Sequence, residues 1–185
     1  MRVIAGEYRS RRLKSVPGLA VRPTPDRLRE ALFNVLTPRL QGIVFIDAYA
    51  GSGAVGIEAL SRGARHVVLI ERNPVAVSVI RENLASLGVA SEATVVRGNA
   101  LTTLTKYEAE IVFLDPPYAQ IRDYAASLEI LGQMRCPLVL AQHETRLVLP
   151  EKSGPLEKTR VLKQGDNSVS FYERGVNSAP EGSDT

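Results

Sequence analysis

The 185-residue chain is 44% hydrophobic and 23% charged, the composition of a globular domain large enough to bury a core. No apolar run reaches bilayer length, and Met1-Arg2-Val3-Ile4-Ala5-Gly6 does not read as a signal peptide. The single Cys136 leaves no internal disulfide and no cysteine metal cluster, so a cytoplasmic protein without a metal site is expected. Net charge is only +3, but it is unevenly placed. Residues 1–30 hold eight basic and three acidic side chains, a net of +5, while the remainder holds fifteen and seventeen, a net of −2. A basic arm on a near-neutral body points to a polyanion, most commonly nucleic acid; a solvated terminus has the same composition.

In chain order, residues 1–18 alternate loosely and turn at Pro17-Gly18, as a short hairpin or extended arm would. Thr24 is placed to cap a helix with Pro25 at its first position and Asp26 against the dipole. Leu28, Leu32, Val35 and Leu36 form its apolar stripe, which ends before Pro38. From Gly42 strands and helices alternate. Strands are predicted at 43–47, 66–71, 93–97, 111–115 and 138–142. Helices are predicted at about 53–62, from an Asn73 cap and Pro74 to Gly88, near 101–104, and at about 123–134. In the helix after Asn73, the residues expected to face inward are Val75, Val79, Leu84 and Leu87. Near-continuous apolar strands separated by amphipathic helices imply a parallel sheet covered on both faces. Two further strand-like runs, 159–163 and 168–173, are joined by Gln164-Gly165-Asp166-Asn167 as an antiparallel hairpin. The division expected is a basic arm and helix at 1–38, a main α/β domain at 39–174 and a disordered polar tail at 175–185.

The chemistry concentrates at two places. The first strand runs into Asp47-Ala48-Tyr49-Ala50-Gly51-Ser52-Gly53-Ala54-Val55-Gly56, a glycine corner that opens a helix. Glu71, twenty residues beyond Gly51, stands where a ribose-binding acid belongs. NAD, FAD and S-adenosylmethionine all use such a corner. The second place is Asp115-Pro116-Pro117-Tyr118, after the fourth strand and therefore on the same rim. Two prolines stiffen that loop and leave carbonyls without sheet or helix partners. A carboxylate, a carbonyl and an aromatic ring together suit a planar group bearing N–H donors. His66 and His143 are too far apart to read as a metal site or a nucleophile–base pair.

Asp47-x-x-x-Gly51-x-Gly53 with Asp115-Pro116-Pro117-Tyr118 resembles the S-adenosylmethionine-dependent amino-group methyltransferases. More narrowly, Arg22-Pro23-Thr24-x-Asp26-Arg27-x-Arg29-Glu30 and Ala50-Gly51-Ser52-Gly53-Ala54-x-Gly56-x-Glu58-Ala59-Leu60-Ser61-Arg62-Gly63-Ala64 resemble the bacterial 16S rRNA guanine-N2 methyltransferase family of RsmD type. The likeness continues through Phe113-Leu114-Asp115 to Tyr172 and covers nearly all of the chain except the tail. It implies a Rossmann-like methyltransferase fold with a mostly parallel seven-stranded sheet, an antiparallel C-terminal hairpin and a small basic N-terminal extension.

It also implies roles. Asp47, Gly51, Gly53, Glu71, Asn99 and Ala100 would hold S-adenosylmethionine. Asn99 stands where the family usually has Asp, which changes the chemistry offered to the adenine. Asp115, Pro116 and Tyr118 would hold the target base beside Pro117, and Arg9, Arg11, Arg12, Arg22 and Arg27 would approach RNA. The partner implied is 16S rRNA within the small ribosomal subunit or an assembly intermediate, met by a monomer with no membrane contact. The same tetrapeptide serves adenine N6, and a protein glutamine amide is a further acceptor, although Asn is more typical than Asp115 there. A nicotinamide-dependent oxidoreductase fits the glycine corner but not Asp47 and the Asp115 loop. A silent RNA-binding assembly module is the remaining alternative.

Overall fold

The computed structural model describes residues 1–17, 25–117 and 120–175. The expectations for Thr24, Arg22, Gly18, Tyr118 and the tail beyond 175 fall outside them. Thirteen α-helices and strands follow in chain order among the described residues: α1 (Asp26–Leu36), β1 (Val44–Asp47), α2 (Ala54–Ser61), β2 (His66–Glu71), α3 (Pro74–Leu87), β3 (Ala93–Arg97), α4 (Ala100–Thr103), β4 (Ile111–Leu114), α5 (Ile121–Gln133), β5 (Leu138–Glu144), β6 (Lys152–Ser153), β7 (Leu156–Gln164) and β8 (Asn167–Arg174).

They build one sheet in the order β3-β2-β1-β4-β5-β8-β7-β6. The first five strands run parallel, β8 pairs antiparallel with β5, and β7 and β6 continue antiparallel. The sheet therefore has eight strands rather than seven. The extra one, β6, is a two-residue edge strand folded back on Leu156 around Gly154-Pro155. Two residues are too short to leave a periodic signal.

Successive strand residues point to opposite faces, and each face has its own apolar layer. Phe45, Val67, Leu69, Ile111, Phe113, Leu138 and Leu140 meet α1, α2, α3 and the arm residues Val3 and Leu13. Ile46, Val68, Ile70, Val112, Leu114, Val139 and Ala141 meet α5, Ala100 and Leu104 on the other side. Burial on both faces explains why these strands read as unbroken apolar runs. The arm and α1 belong to the first layer: Leu28, Leu32, Phe33 and Leu36 are wholly buried against it.

One inward assignment is corrected. Val75 is 51% exposed, and the inner face of α3 is instead Ala76, Val77, Val79, Ile80, Asn83 and Leu84. The Asn73 side chain accepts from the Val75 and Ala76 N–H groups and so fixes the start of the helix, which leaves Val75 on its outer side.

The strand order reverses between β1 and β4, where the chain leaves for β2 on one side and β5 on the other. Asp47 is paired in register with Leu69 and Phe113, so Glu71 and Asp115, each two residues further on, come out at the same end of the sheet. That crevice, beyond the carboxyl ends of the strands, is where ligands sit in open α/β sheets.

Candidate active site

The crevice opens into a cavity of about 490 Å³. Its lining includes Gly51, Glu71, Asn99, Ala100, Asp115, Pro116 and Pro117, so residues assigned to both motifs line one cavity. Asp47 and Gly53 are not part of that lining. They lie beneath it.

The glycine corner is held by hydrogen bonds within the protein. Gly51 has φ +55°, and a side chain built there would meet no atom within 4 Å, so its backbone faces open space. Its N–H donates to Glu71 Oε2 at 2.9 Å, while Asn73 N–H donates to Glu71 Oε1 at 2.8 Å. Each carboxylate oxygen has two acceptor directions, so Glu71 keeps capacity for further donors. Gly53, at φ +81°, lies against Ile80 and Leu69. A Cβ on Gly56 would come within 2.8 Å of Leu69, so this glycine lets α2 pack close to β2. Asp47, 1% exposed, accepts from Gly56 N–H at 3.1 Å and ties the start of α2 to the end of β1. Burial drives its pKa up to about 7, against the lowering effect of its hydrogen bonds to Gly56 and Tyr49. Asp47 thus shapes the loop from below.

Asn99 caps α4, its Oδ1 accepting from Leu101 N–H at 2.9 Å. Asn99 lines the cavity, and its amide nitrogen, without a partner among the described residues, remains as a donor where an Asp would offer only acceptors.

The opposite wall is different. Among the described residues no donor reaches the Asp115 carboxylate or the Pro116 carbonyl; the Pro117 carbonyl takes Gln120 N–H at 2.7 Å. Asp115 is half-buried, and burial, then the nearby Asp47 charge, pushes its pKa up to about 8.

Sequence reasoning missed a polar chain that runs along this cavity. The Tyr49 hydroxyl lies 3.1 Å from Ser127 Oγ and 3.5 Å from Asp123 Oδ2, and burial raises its pKa to about 12. The Gln120 amide, oriented by its neighbours, donates to Asp123 Oδ2 at 3.1 Å and accepts from the Arg72 guanidinium at 2.8 Å. Arg72 follows β2 and Gln120 precedes α5, so the two sides of the crevice are bridged across about fifty residues of sequence, a separation at which no local pattern could show it.

The arm is docked rather than trailing. Arg2 and Arg12 form an antiparallel bridge, Ile4 and Ala5 N–H donate to the buried Glu58, and Ser61 bonds Ala5 and Tyr8. Arg9 and Arg12 are exposed with no side-chain partner among the described residues, whereas Arg11 donates to the Ser86 carbonyl. Arg27 faces solvent. Arg29 is wholly buried, donating to the Arg2 carbonyl and Asp26, with its Nε 3.9 Å from Glu58. It is therefore part of the framework that seats the arm. His143 is likewise buried, bonded to Ser170 Oγ and the Glu144 carbonyl. Among the described residues no cluster of His, Cys, Asp and Glu could hold a metal ion, and no helix is long and apolar enough to cross a membrane.

A family profile described as Conserved hypothetical protein 95 matches residues 1–173. The chain is 36% identical over 183 residues to the YlbH protein of Bacillus subtilis (strain 168), covering 94% of this chain and 99% of that one. It is 34% identical over 181 residues to Ribosomal RNA small subunit methyltransferase D of Haemophilus influenzae, covering 93% and 91%. Among solved structures, the yhhF protein of Escherichia coli superposes with a TM-score of 0.79 at 35% identity, over 94% of this chain and 97% of that one.

Proposed function

The chain belongs to the RsmD-type methyltransferase family, and on that premise we propose that it methylates N2 of a guanine in 16S rRNA, with S-adenosylmethionine as donor. The observation that carries the acceptor half of this reading is the Asp115 carboxylate, which lines the cavity with no hydrogen-bond partner among the described residues. The carboxylate is half-buried at the cavity wall, so N–H donors supplied by a ligand would offset the cost of its partial burial.

The donor half fits S-adenosylmethionine. Gly51 exposes bare backbone to the cavity, Glu71 retains acceptor capacity for ribose hydroxyls, and the Asn99 amide nitrogen can donate to an adenine acceptor. When bound, the sulfonium supplies an electrophilic methyl group, so the protein needs to align a nitrogen lone pair more than to supply strong acid or base. Asp47 and Glu71 keep the glycine corner in place.

On the acceptor side Asp115 and the Pro116 carbonyl take the two hydrogens of the exocyclic amine. Accepting them draws the lone pair out of conjugation with the ring and stabilises positive charge as it develops on nitrogen. In its ionised form Asp115, with its raised proton affinity, would receive the proton lost by the amine when the methyl passes to nitrogen and the electron pair of the S–C bond stays with sulfur. Tyr118 is assigned the stacking face, which offsets part of the few kcal/mol needed to unstack the base. The adjacent ring N–H of guanine gives Asp115 a second donor, which favours guanine over adenine. The arm residues Arg9, Arg11 and Arg12, with Arg22 and Arg27, would contact phosphates, positioning the RNA without reading its sequence. The protein then acts in the cytoplasm as a monomer on a ribosomal particle.

Tritiated-methyl transfer to small subunits lacking the modification, followed by nucleoside analysis, tests the reading. N2-methylguanosine is the expected product. N6-methyladenosine would move the acceptor to adenine, and no transfer to RNA would remove the rRNA substrate.

A further inference from the structure

Asn83 lies on α3, outside the cavity, and is 1% exposed. Its amide is fully engaged by backbone. Oδ1 accepts from Lys14 N–H at 2.7 Å, and Nδ2 donates to the Lys14 carbonyl at 3.1 Å and to the Ser52 carbonyl at 3.0 Å. The side chain pairs with Lys14 as another peptide group would, and its one remaining N–H goes to the residue between the two positive-φ glycines, Gly51 and Gly53. No other side-chain donor among the described residues holds the Ser52 carbonyl. Around this junction Lys14 Nζ binds Glu82 at 2.7 Å, Arg11 binds the Ser86 carbonyl at 2.8 Å, and Ser52 Oγ contacts Met1 Sδ at 3.9 Å. The arm and the glycine corner are thus fastened to the same turn of α3.

We propose that Asn83 is a positioning residue for the methyl-donor site, holding the Gly51–Gly53 loop from the arm side, so that the basic arm is a structural part of that site. This rests on the donor reading above. Asn is the side chain that meets all three demands. Asp would lose both donors and set a carboxylate against two carbonyls; a shorter side chain would leave three part-buried backbone groups without their partner. Because Asn83 touches no reacting atom, its effect falls on donor affinity and not on the chemical step.

Calorimetric titration with S-adenosylmethionine on the full chain tests this, alongside single-turnover transfer at saturating donor. Asn83→Asp is expected to raise the donor Kd by about tenfold or more, the size of a broken buried hydrogen bond, with the saturated rate within a factor of about three. Amide exchange should speed up at Gly51 and Gly53, while the Asn73-capped Val75 and Ala76 stay protected. Glu82→Ala, which breaks the exposed ion pair at the same junction and leaves the Asn83 bonds in place, should leave the donor Kd unchanged. If Asn83→Asp does not fold, Asn83→Ser, free of the carboxylate, supplies the same readings. A donor Kd within twofold of wild type in the folded variant overturns the inference and leaves the function standing. Absence of donor binding by the unaltered chain overturns both.

Discussion

The two walls of the cavity are built on opposite terms. On the donor wall the groups that hold the glycine corner have partners inside the protein: Gly51 and Asn73 on Glu71, Gly56 on Asp47, Ser52 on Asn83. On the acceptor wall Asp115 and the Pro116 carbonyl have none among the described residues, and the Asp115 pKa stands at about 8. The donor wall is preorganised before any ligand arrives, and its satisfied bonds contribute to the fold. The acceptor wall holds acceptors in poor solvent, a cost to stability that an N–H-bearing ligand would offset. The difference separates binding of the methyl donor from selection of the group that receives it.

That separation gives graded predictions. Asp115→Ala is expected to lower single-turnover transfer by roughly a thousandfold, the upper range for removing one electrostatic partner of a developing charge, with donor Kd nearly unchanged by calorimetry. Comparable losses of binding and rate would merge the two walls into one function. Glu71→Ala should do the reverse. Without its charge-assisted hydrogen bonds and with a loosened loop, the donor Kd should weaken roughly ten- to hundredfold while the saturated rate is largely kept.

Next in size is a stability effect. Asp47 and Asp115 have folded pKa values, about 7 and about 8, above the ordinary carboxylate value near 4. The folded state therefore holds protons that the unfolded chain has released. Their contribution to stability is full below about pH 4 and is lost as pH rises through 7 to 8. Thermal melts of the ligand-free protein should show this decline, and Asp115→Asn should flatten it and melt several degrees higher at pH 8. An unchanged slope in the variant would mean that Asp115 is ionised throughout. The smallest effect belongs to the arm. Replacing Arg9, Arg11 and Arg12 with Ala should weaken RNA binding in low salt and make it less salt-dependent, the slope falling by about one unit for each phosphate no longer neutralised. With only Arg9 and Arg12 replaced, which keeps the Arg11 bond to the Ser86 carbonyl, the donor Kd should not move.

Legibility in the sequence follows the range of the interactions. The predicted bounds of β2 and β3 match those observed, as do the Asn73-Pro74 start and Gly88 stop of α3, because caps and apolar runs are local. The shared rim of Asp47, Glu71 and Asp115 is also legible, since parallel strands all deliver their carboxyl ends to one edge. Asp47 reads the same in sequence whether it faces the ligand or supports the loop; its 1% exposure and its bond to Gly56 place it below. Arg29 and Asn83 are polar residues on helices and would ordinarily be given to solvent. Each is buried because its partners are backbone groups of the arm, far away in sequence. The Arg72–Gln120–Asp123–Tyr49 chain is hidden for the same reason, and Val75 departs from its predicted side because it stands in the first turn about a quarter turn or more off the buried stripe through Ala76, Ile80 and Asn83.

The claim that Asp115 is the acceptor clamp is tested most directly by single-turnover transfer measured against pH at saturating S-adenosylmethionine, in the unaltered protein and in Asp115→Ala. The rate should rise with pH along one carboxylate ionisation, at an apparent pKa below about 8 once the cationic donor is bound, and the variant should retain only a flat residual rate. A variant that keeps the unaltered rate and the same pH profile would contradict the clamp and leave Asp115 a structural carboxylate.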